Sequence, residues 1–249
     1  MITVSDAAML VGAGALAGAV GTAGGITSLI SYPALIAAGL SPLQASVTNI
    51  VALVACLPGS ALTSKPELAD KGQWIRHWAP WAGAGGLAGS VLLVSTPPGA
   101  FADVVPYLLV FAAVSLLVQP RLSSRHDRHR AGGLVLPCGL FAASVYNGYF
   151  GAGSGVIVTA LLLVSVEPEM ARANALKNML VGAATVVSAA TLIVLGHVDW
   201  AAATELGGGS FLGSTIGPLV ARRIPPGLLR WLVALVGLGL AVRLWIRPL

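Results

Sequence analysis

Charge is what this chain has least of. Of its 249 residues 9% are Asp, Glu, Lys or Arg and 56% are hydrophobic, with a mean hydropathy of +0.87, whereas soluble domains carry roughly 25% charged residues. That excludes an ordinary water-soluble fold. Because charge-poor runs recur from end to end, no room is left for a soluble domain of ~100 residues. Cysteine is as scarce: Cys56 and Cys138 stand alone in apolar runs, with neither CxxC spacing nor adjacent histidines, so both read as small core residues. His77, His126, His129 and His197 sit in or near loops without metal-ligand spacing, and no metal or cofactor is called for. No catalytic triad can be picked out, and Gly151-Ala-Gly153-Ser154-Gly155 is not followed by Gly-Lys-Ser/Thr, which argues against ATP hydrolysis by this chain alone. Gly12-Ala-Gly14-Ala-Leu-Ala17 formally fits a dinucleotide fingerprint, but no strand pattern precedes it and the next acidic residue is the distant Glu67. The opening MITVSDAAML lacks a basic stretch before its first apolar run, so the expectation is a membrane segment rather than a cleaved signal.

What is present is a series of apolar segments, five in each half: Ala7 to Val20, Ile26 to Leu40, Leu43 to Leu62, Trp78 to Ser95 and Val104 to Val118, then Ala131 to Phe150, Gly155 to Val166, Met170 to Leu195, Trp200 to Val220 and Leu228 to Ile246. A crossing helix needs about 20 residues, so the second segment of each half is short and reads as a half-helix. The expected fold is all-α and polytopic, with 8–10 membrane segments in two homologous repeats, 1–120 and 131–249, joined by a basic cytoplasmic linker at 121–130. Landmarks recur at a steady spacing: Pro97-Pro98-Gly99 as Pro225-Pro226-Gly227, Pro120 as Pro248, and Pro42 with Ala45 as Pro168 with Ala171. Internal repeats are common in secondary transporters, with substrate bound at their interface.

Loop charge bears on the relative orientation of the repeats. With the linker arginines Arg121, Arg125, Arg128 and Arg130 in the cytoplasm, five crossings per half also place Lys65, Lys71, Arg76, Arg172, Arg222, Arg223 and Arg230 inside. Only Arg243 and Arg247 then fall outside. Four crossings per half would make the repeats parallel and move Arg172, Arg222, Arg223 and Arg230 outside. The positive-inside rule therefore favours inversion, and the net charge of +5 reports topology rather than a nucleic-acid partner. Gly14 and Gly18, Gly85 and Gly89, and Gly209, Gly213 and Gly217 are spaced four apart, a stripe that lets helices approach closely in lipid.

Two constellations could carry chemistry. The first is the pair of glycine breaks, Gly21-Thr-Ala-Gly24-Gly25 with Thr27 and Ser28 beyond it, and Gly148-Tyr-Phe-Gly151-Ala-Gly153-Ser154-Gly155. Clustered glycines cost a helix about 1 kcal/mol each and supply positive φ. Inside a membrane the freed N–H groups need a ligand or a cavity, and an anion suits the positive end of a helix. The plainer reading is a tight turn at the membrane surface. The second is a polar face on each third segment. Ser41-Pro42 and Glu167-Pro168 both look like helix starts with Pro at the first position, which puts Lys177 roughly 13 Å along its helix, near the bilayer midplane. Asn174, Lys177 and Asn178 share one face there, while the first half offers Gln44 with Thr48 and Ser46 with Asn49. A lysine at that depth needs a partner or water. It is either functional or one side of a structural ion pair with Glu205, which is itself a candidate for proton coupling.

With these residues in view, the chain resembles the sulfite exporter TauE/SafE family of membrane permeases over nearly its full length. The resemblance rests on the first glycine break followed by Tyr32-Pro33 and Leu35, Ser41-Pro42 leading to Ala45-Ser-Val-Thr48-Asn49, and Gly148 to Gly155. It continues through Ala171-Arg-Ala-Asn174-Ala-Leu-Lys177-Asn178, Gly196-His-Val-Asp199-Trp200 and the Gly213 region ending in Ala221-Arg222-Arg223. It departs at the second break, which has no proline matching Pro33. The resemblance implies transport of sulfite, sulfonates or related small anions across a bacterial cytoplasmic membrane. The expected partners are a small anionic substrate and the lipid bilayer, and a homo-oligomer is compatible with the sequence. The alternative function is an intramembrane enzyme or an accessory subunit acting on a lipid or a partner protein.

Overall fold

The computed structural model describes residues 4–124, 134–221 and 226–246, with side-chain surroundings for 5–118, 134–216 and 231–246. Every regular element among them is a helix. The first half contains α1 (Val4–Gly24), α2 (Thr27–Ala37), α3 (Pro42–Ala52), α4 (Cys56–Thr63), the short α5 (Lys65–Leu68), α6 (Gly72–Ser95) and α7 (Pro98–Ser124). The second contains α8 (Val135–Tyr149), α9 (Ser154–Ser165), α10 (Met170–Leu195), α11 (Trp200–Ala221) and α12 (Pro226–Ile246). Helix α7 runs into the basic linker; the rest of the linker, with Arg125, Arg128, Arg130, His126 and His129, lies outside the described residues, as do Arg222, Arg223 and Arg247.

Among the described residues four stretches are long and apolar enough to cross a bilayer: Ser5–Gly24, Pro42–Thr63, Pro98–Val118 and Met170–Leu195. Helices α6 and α11, of 24 and 22 residues, have the length but are not among these four. The second segments form short helices, 11 residues in α2 and 12 in α9, below the ~20 residues of a crossing helix. The third segment of the first half is not one helix, because α3 and α4 are separated by a 3-10 turn at Leu53–Ala55. Pro58 accounts for this, since proline has no N–H for the carbonyl four residues back and its ring crowds that carbonyl. Prolines also open α3 and α7, at Pro42 and Pro98, as first helical residues. The second half differs from that expectation: α10 begins at Met170, two residues past Pro168, with extended Glu169 as its N-cap. The intervening chain is occupied otherwise, as the Val166 and Glu167 amides both donate to Leu162 O at 2.9 Å and Glu167 is tied to Lys71 at 3.0 Å.

Packing crosses between the halves. Helix α1 lies along α11, and α6 lies along α8 and α10, while α7 packs on α12 and on α9, and α12 on α2. The glycine stripes make these approaches possible. A Cβ at Gly14 or Gly18 would run into the backbone carbonyls of Leu206 or Ser210, one at Gly209 or Gly213 into those of Val11 or Ala15, and one at Gly85 or Gly89 into those of Phe141 or Val145. Gly217 lies outside the described side-chain surroundings.

Candidate functional site

The two glycine breaks meet. Gly25 has φ +75°, and Gly151 and Gly153 have φ +85° and +81°, the left-handed region that other residues avoid. A Cβ on Gly25 would lie 2.6 Å from the Gly155 carbonyl carbon, and one on Gly155 2.6 Å from the Gly25 Cα, so only two glycines can sit at this crossing. Helix α2 therefore begins beside the start of α9. Neither has a side-chain cap on its first turn: the N-caps are Ile26 and Gly153, without a side-chain hydrogen bond. First-turn N–H groups have no acceptor inside their own helix; those of Leu29, Ser154 and Val156 donate to the carbonyls of Ile26, Gly151 and Gly153 just before it, which leaves the Thr27, Ser28 and Gly155 amides for other partners.

A cavity of about 70 Å³ opens at this junction. By comparison, a single water requires about 10–15 Å³ of such volume, so the space suits several waters or a few heavy atoms of a ligand. Gly25, Thr27, Ser28, Gly151, Ser154, Lys177 and Asn178 all line it. The remaining sequence candidates lie elsewhere. Gly24 ends α1, Gly153 faces Ala112, Thr48 accepts a hydrogen bond from the Asp199 amide at 3.1 Å, and Asn49 Oδ1 accepts one from Ser31 Oγ. Asn174 does not line the cavity but donates to the carbonyl of Thr22, which does.

The polar face of α10 meets the end of α1. Lys177 Nζ, Asn174 Nδ2 and Asn178 Nδ2 donate to one carbonyl, Thr22 O, at 3.2, 3.0 and 3.1 Å. Thr22 lies in the last turn of α1, where carbonyls lack intrahelical donors and the helix end is negative. Lys177 is 2% exposed. Ion pairs among the described residues are Lys71–Glu167 and Arg172–Glu169, so the structural pair of Lys177 with Glu205 does not form. The lysine instead bonds a neutral carbonyl, and the carboxyl oxygen Oε2 of Glu205 is buried with no protein partner of its own.

Sequence reasoning missed Thr22, Cys56, Ser60, Asn147 and Thr185, which also line the cavity. Asn147 organises one wall, because Ser154 Oγ donates to its Oδ1 at 2.7 Å and its Nδ2 donates to Thr185 Oγ1 at 3.1 Å. Extending the Lys177 face by two turns, through Val181, reaches Thr185, so that residue was findable by periodicity. Cys56 and Ser60 gave no such signal, because neither is charged and both stand in an apolar run. Tyr146 steadies the second break by donating from its hydroxyl to Ala152 O at 2.7 Å.

The family model of the sulfite exporter TauE/SafE matches residues 8–244. "Probable membrane transporter protein ORF9" of Sinorhizobium sp is 26% identical over 238 residues, covering 94% of this chain and 90% of that protein. "Probable membrane transporter protein YfcA" of Escherichia coli (strain K12) is 25% identical over 238 residues, covering 92% and 86%. A "Probable membrane transporter protein" of Haemophilus influenzae is 22% identical over 219 residues, covering 87% and 85%. No solved structure matches.

Proposed function

Because the chain belongs to the sulfite exporter TauE/SafE family of membrane transporters, we propose that it is a secondary transporter of small anions, working by alternating access in a bacterial cytoplasmic membrane. The substrates are sulfite, sulfonates or related sulfur-containing or carboxylate anions. One observation carries the reading: the starts of two uncapped half-helices and the buried Lys177 face a single cavity, and no carboxylate among the described residues is paired to the lysine. Helix starts and an ammonium both favour negative charge, and an anion there supplies the counter-charge that a lysine buried in a membrane requires. Glu205 is the candidate proton carrier, being a buried carboxyl with one oxygen unpartnered.

The two halves, 1–120 and 131–249, are read as inverted repeats. In support, Ser41 and Gln44 at the start of α3 share a cavity with Gly196 and His197 just beyond the end of α10, while Lys71, beyond the end of α4, pairs with Glu167 just before α10. These two contacts support a reading in which the third elements of the halves run in opposite directions. Parallel repeats would separate Lys71 from Arg172 across the membrane, and an ion pair five residues from Arg172 speaks against that.

Reconstitution into liposomes with a panel of sulfite, thiosulfate, sulfonates and carboxylates tests the proposal. Protein-dependent flux of at least one anion is expected; folded protein that moves none would refute transport of this class.

A further inference from the structure

Resting on that anion-site reading, we infer that Ser60 is a specificity-determining residue, selecting organic anions that carry a hydroxyl group near the acid over inorganic oxyanions and unsubstituted acids. The lining of the cavity falls into two chemical groups. Donors come from the helix starts of α2 and α9 and from Lys177 and Asn178 on α10. A second stretch of wall is built by Leu53 and by Cys56, Leu57 and Ser60 of α4, spaced i, i+3, i+4, i+7, and adjoins α10, where Leu57 packs against Gly182. That wall has no free donor. The Ser60 hydroxyl gives its hydrogen to Leu57 O at 3.0 Å, and the Cys56 thiol is directed at Ser210 O at 3.9 Å. With one hydrogen already committed, Ser60 Oγ offers the cavity only lone pairs.

Any oxygen that an inorganic oxyanion turned towards α4 would meet two leucines and these lone pairs, with no free donor among them. A small organic anion suits both groups. Its acid group takes the donors, its methylenes lie against Leu53 and Leu57, and its own O–H donates to Ser60 Oγ. Ser60 is 2% exposed, so its oxygen is removed from bulk solvent and is reached through the cavity. A buried hydroxyl that finds no acceptor is penalised, and sites built to hydrogen-bond a substrate hydroxyl discriminate strongly against analogues lacking it.

The test is binding to the purified full chain in detergent by titration calorimetry, using pairs in which a hydroxyl replaces a methyl: glycolate against propionate, and 2-hydroxyethanesulfonate against 1-propanesulfonate, with sulfite as the inorganic arm. All four organic anions stay ionised at neutral pH, so the state of Lys177 and Cys56 affects both members of a pair alike. The wild-type protein is expected to favour the hydroxylated member of at least one pair by about tenfold, and over sulfite. Ser60→Ala should bring that ratio close to one, and Ser60→Thr, which keeps a back-bonded oxygen, should restore it. Equal affinities within both pairs, preference for sulfite, or variants that weaken both members equally would overturn the role of Ser60 while leaving the anion site standing. Absence of binding by any anion would overturn both.

Discussion

Lys177 is where the anion site can be tested with one atom group. Methionine keeps most of the stem volume and the helix propensity, and Asn174 and Asn178 still reach Thr22 O, so Lys177→Met should assemble normally. A hydrogen bond to a charged group is worth about 1.5–3 kcal/mol, which corresponds to a fall in anion affinity of roughly tenfold to more than a hundredfold. Affinity measured by calorimetry, with thermal unfolding as the folding control, decides it, and retained affinity would assign the lysine to structure. Cys56 gives an independent probe because it lines the cavity, whereas Cys138 is exposed on the outside of the helix bundle. In a Cys138→Ala protein, labelling of Cys56 by a small anionic thiol reagent should slow several-fold when a transported anion is present. Unchanged labelling would move the substrate elsewhere. The sequence made the cationic face readable, since i, i+3, i+4 spacing on a long apolar helix needs no tertiary knowledge. It could not show that the partner would be a carbonyl 155 residues away in sequence, nor that Asn49, with a similar polar face, would turn inward to Ser31.

At the scale of elements the breaks are the vulnerable points. Gly25→Ala would put a Cβ against the Gly155 backbone at 2.6 Å with φ at +75°, and the left-handed conformation alone costs about 1–2 kcal/mol for an L-residue. Both neighbours are backbone, so neither can step aside. The expected result is a lower unfolding temperature in detergent and loss of transport. Gly12→Ala, where nothing lies within 4 Å, should be indistinguishable from wild type. If the two variants behave alike, the crossing of the breaks is not a tight contact. These breaks were legible because several glycines close together weaken a helix by their own backbone freedom, whatever packs around them. The boundaries of α10 and α11 likewise agree with the apolar runs to within a residue. The break between α3 and α4 was not seen: Pro58 lies in an unbroken hydrophobic run, and hydropathy does not register a missing N–H.

For the whole molecule, orientation is the property on which alternating access depends, and it follows from which ends share a membrane face. The Lys71–Glu167 pair ties the loop before α6 to the loop before α10, whereas His197 shares a cavity with Ser41 and Gln44 at the opposite ends of α10 and α3. In inverted repeats the basic face carrying Lys65, Lys71 and Arg172 lies in the cytoplasm. Single cysteines replacing Lys65 and Arg172, in a protein whose own two cysteines are changed to alanine, should both resist an impermeant thiol reagent added outside intact cells and react once the membrane is opened. A cysteine replacing His197 should react from outside. Parallel repeats predict that Arg172→Cys labels from outside while Lys65→Cys and His197→Cys are both protected, and that pattern would refute inversion. It would leave the contact of Gly25 with Gly155 in place but end the reading of that crossing as a site shared by two opposed halves, which is what a rocking motion of one repeat against the other requires.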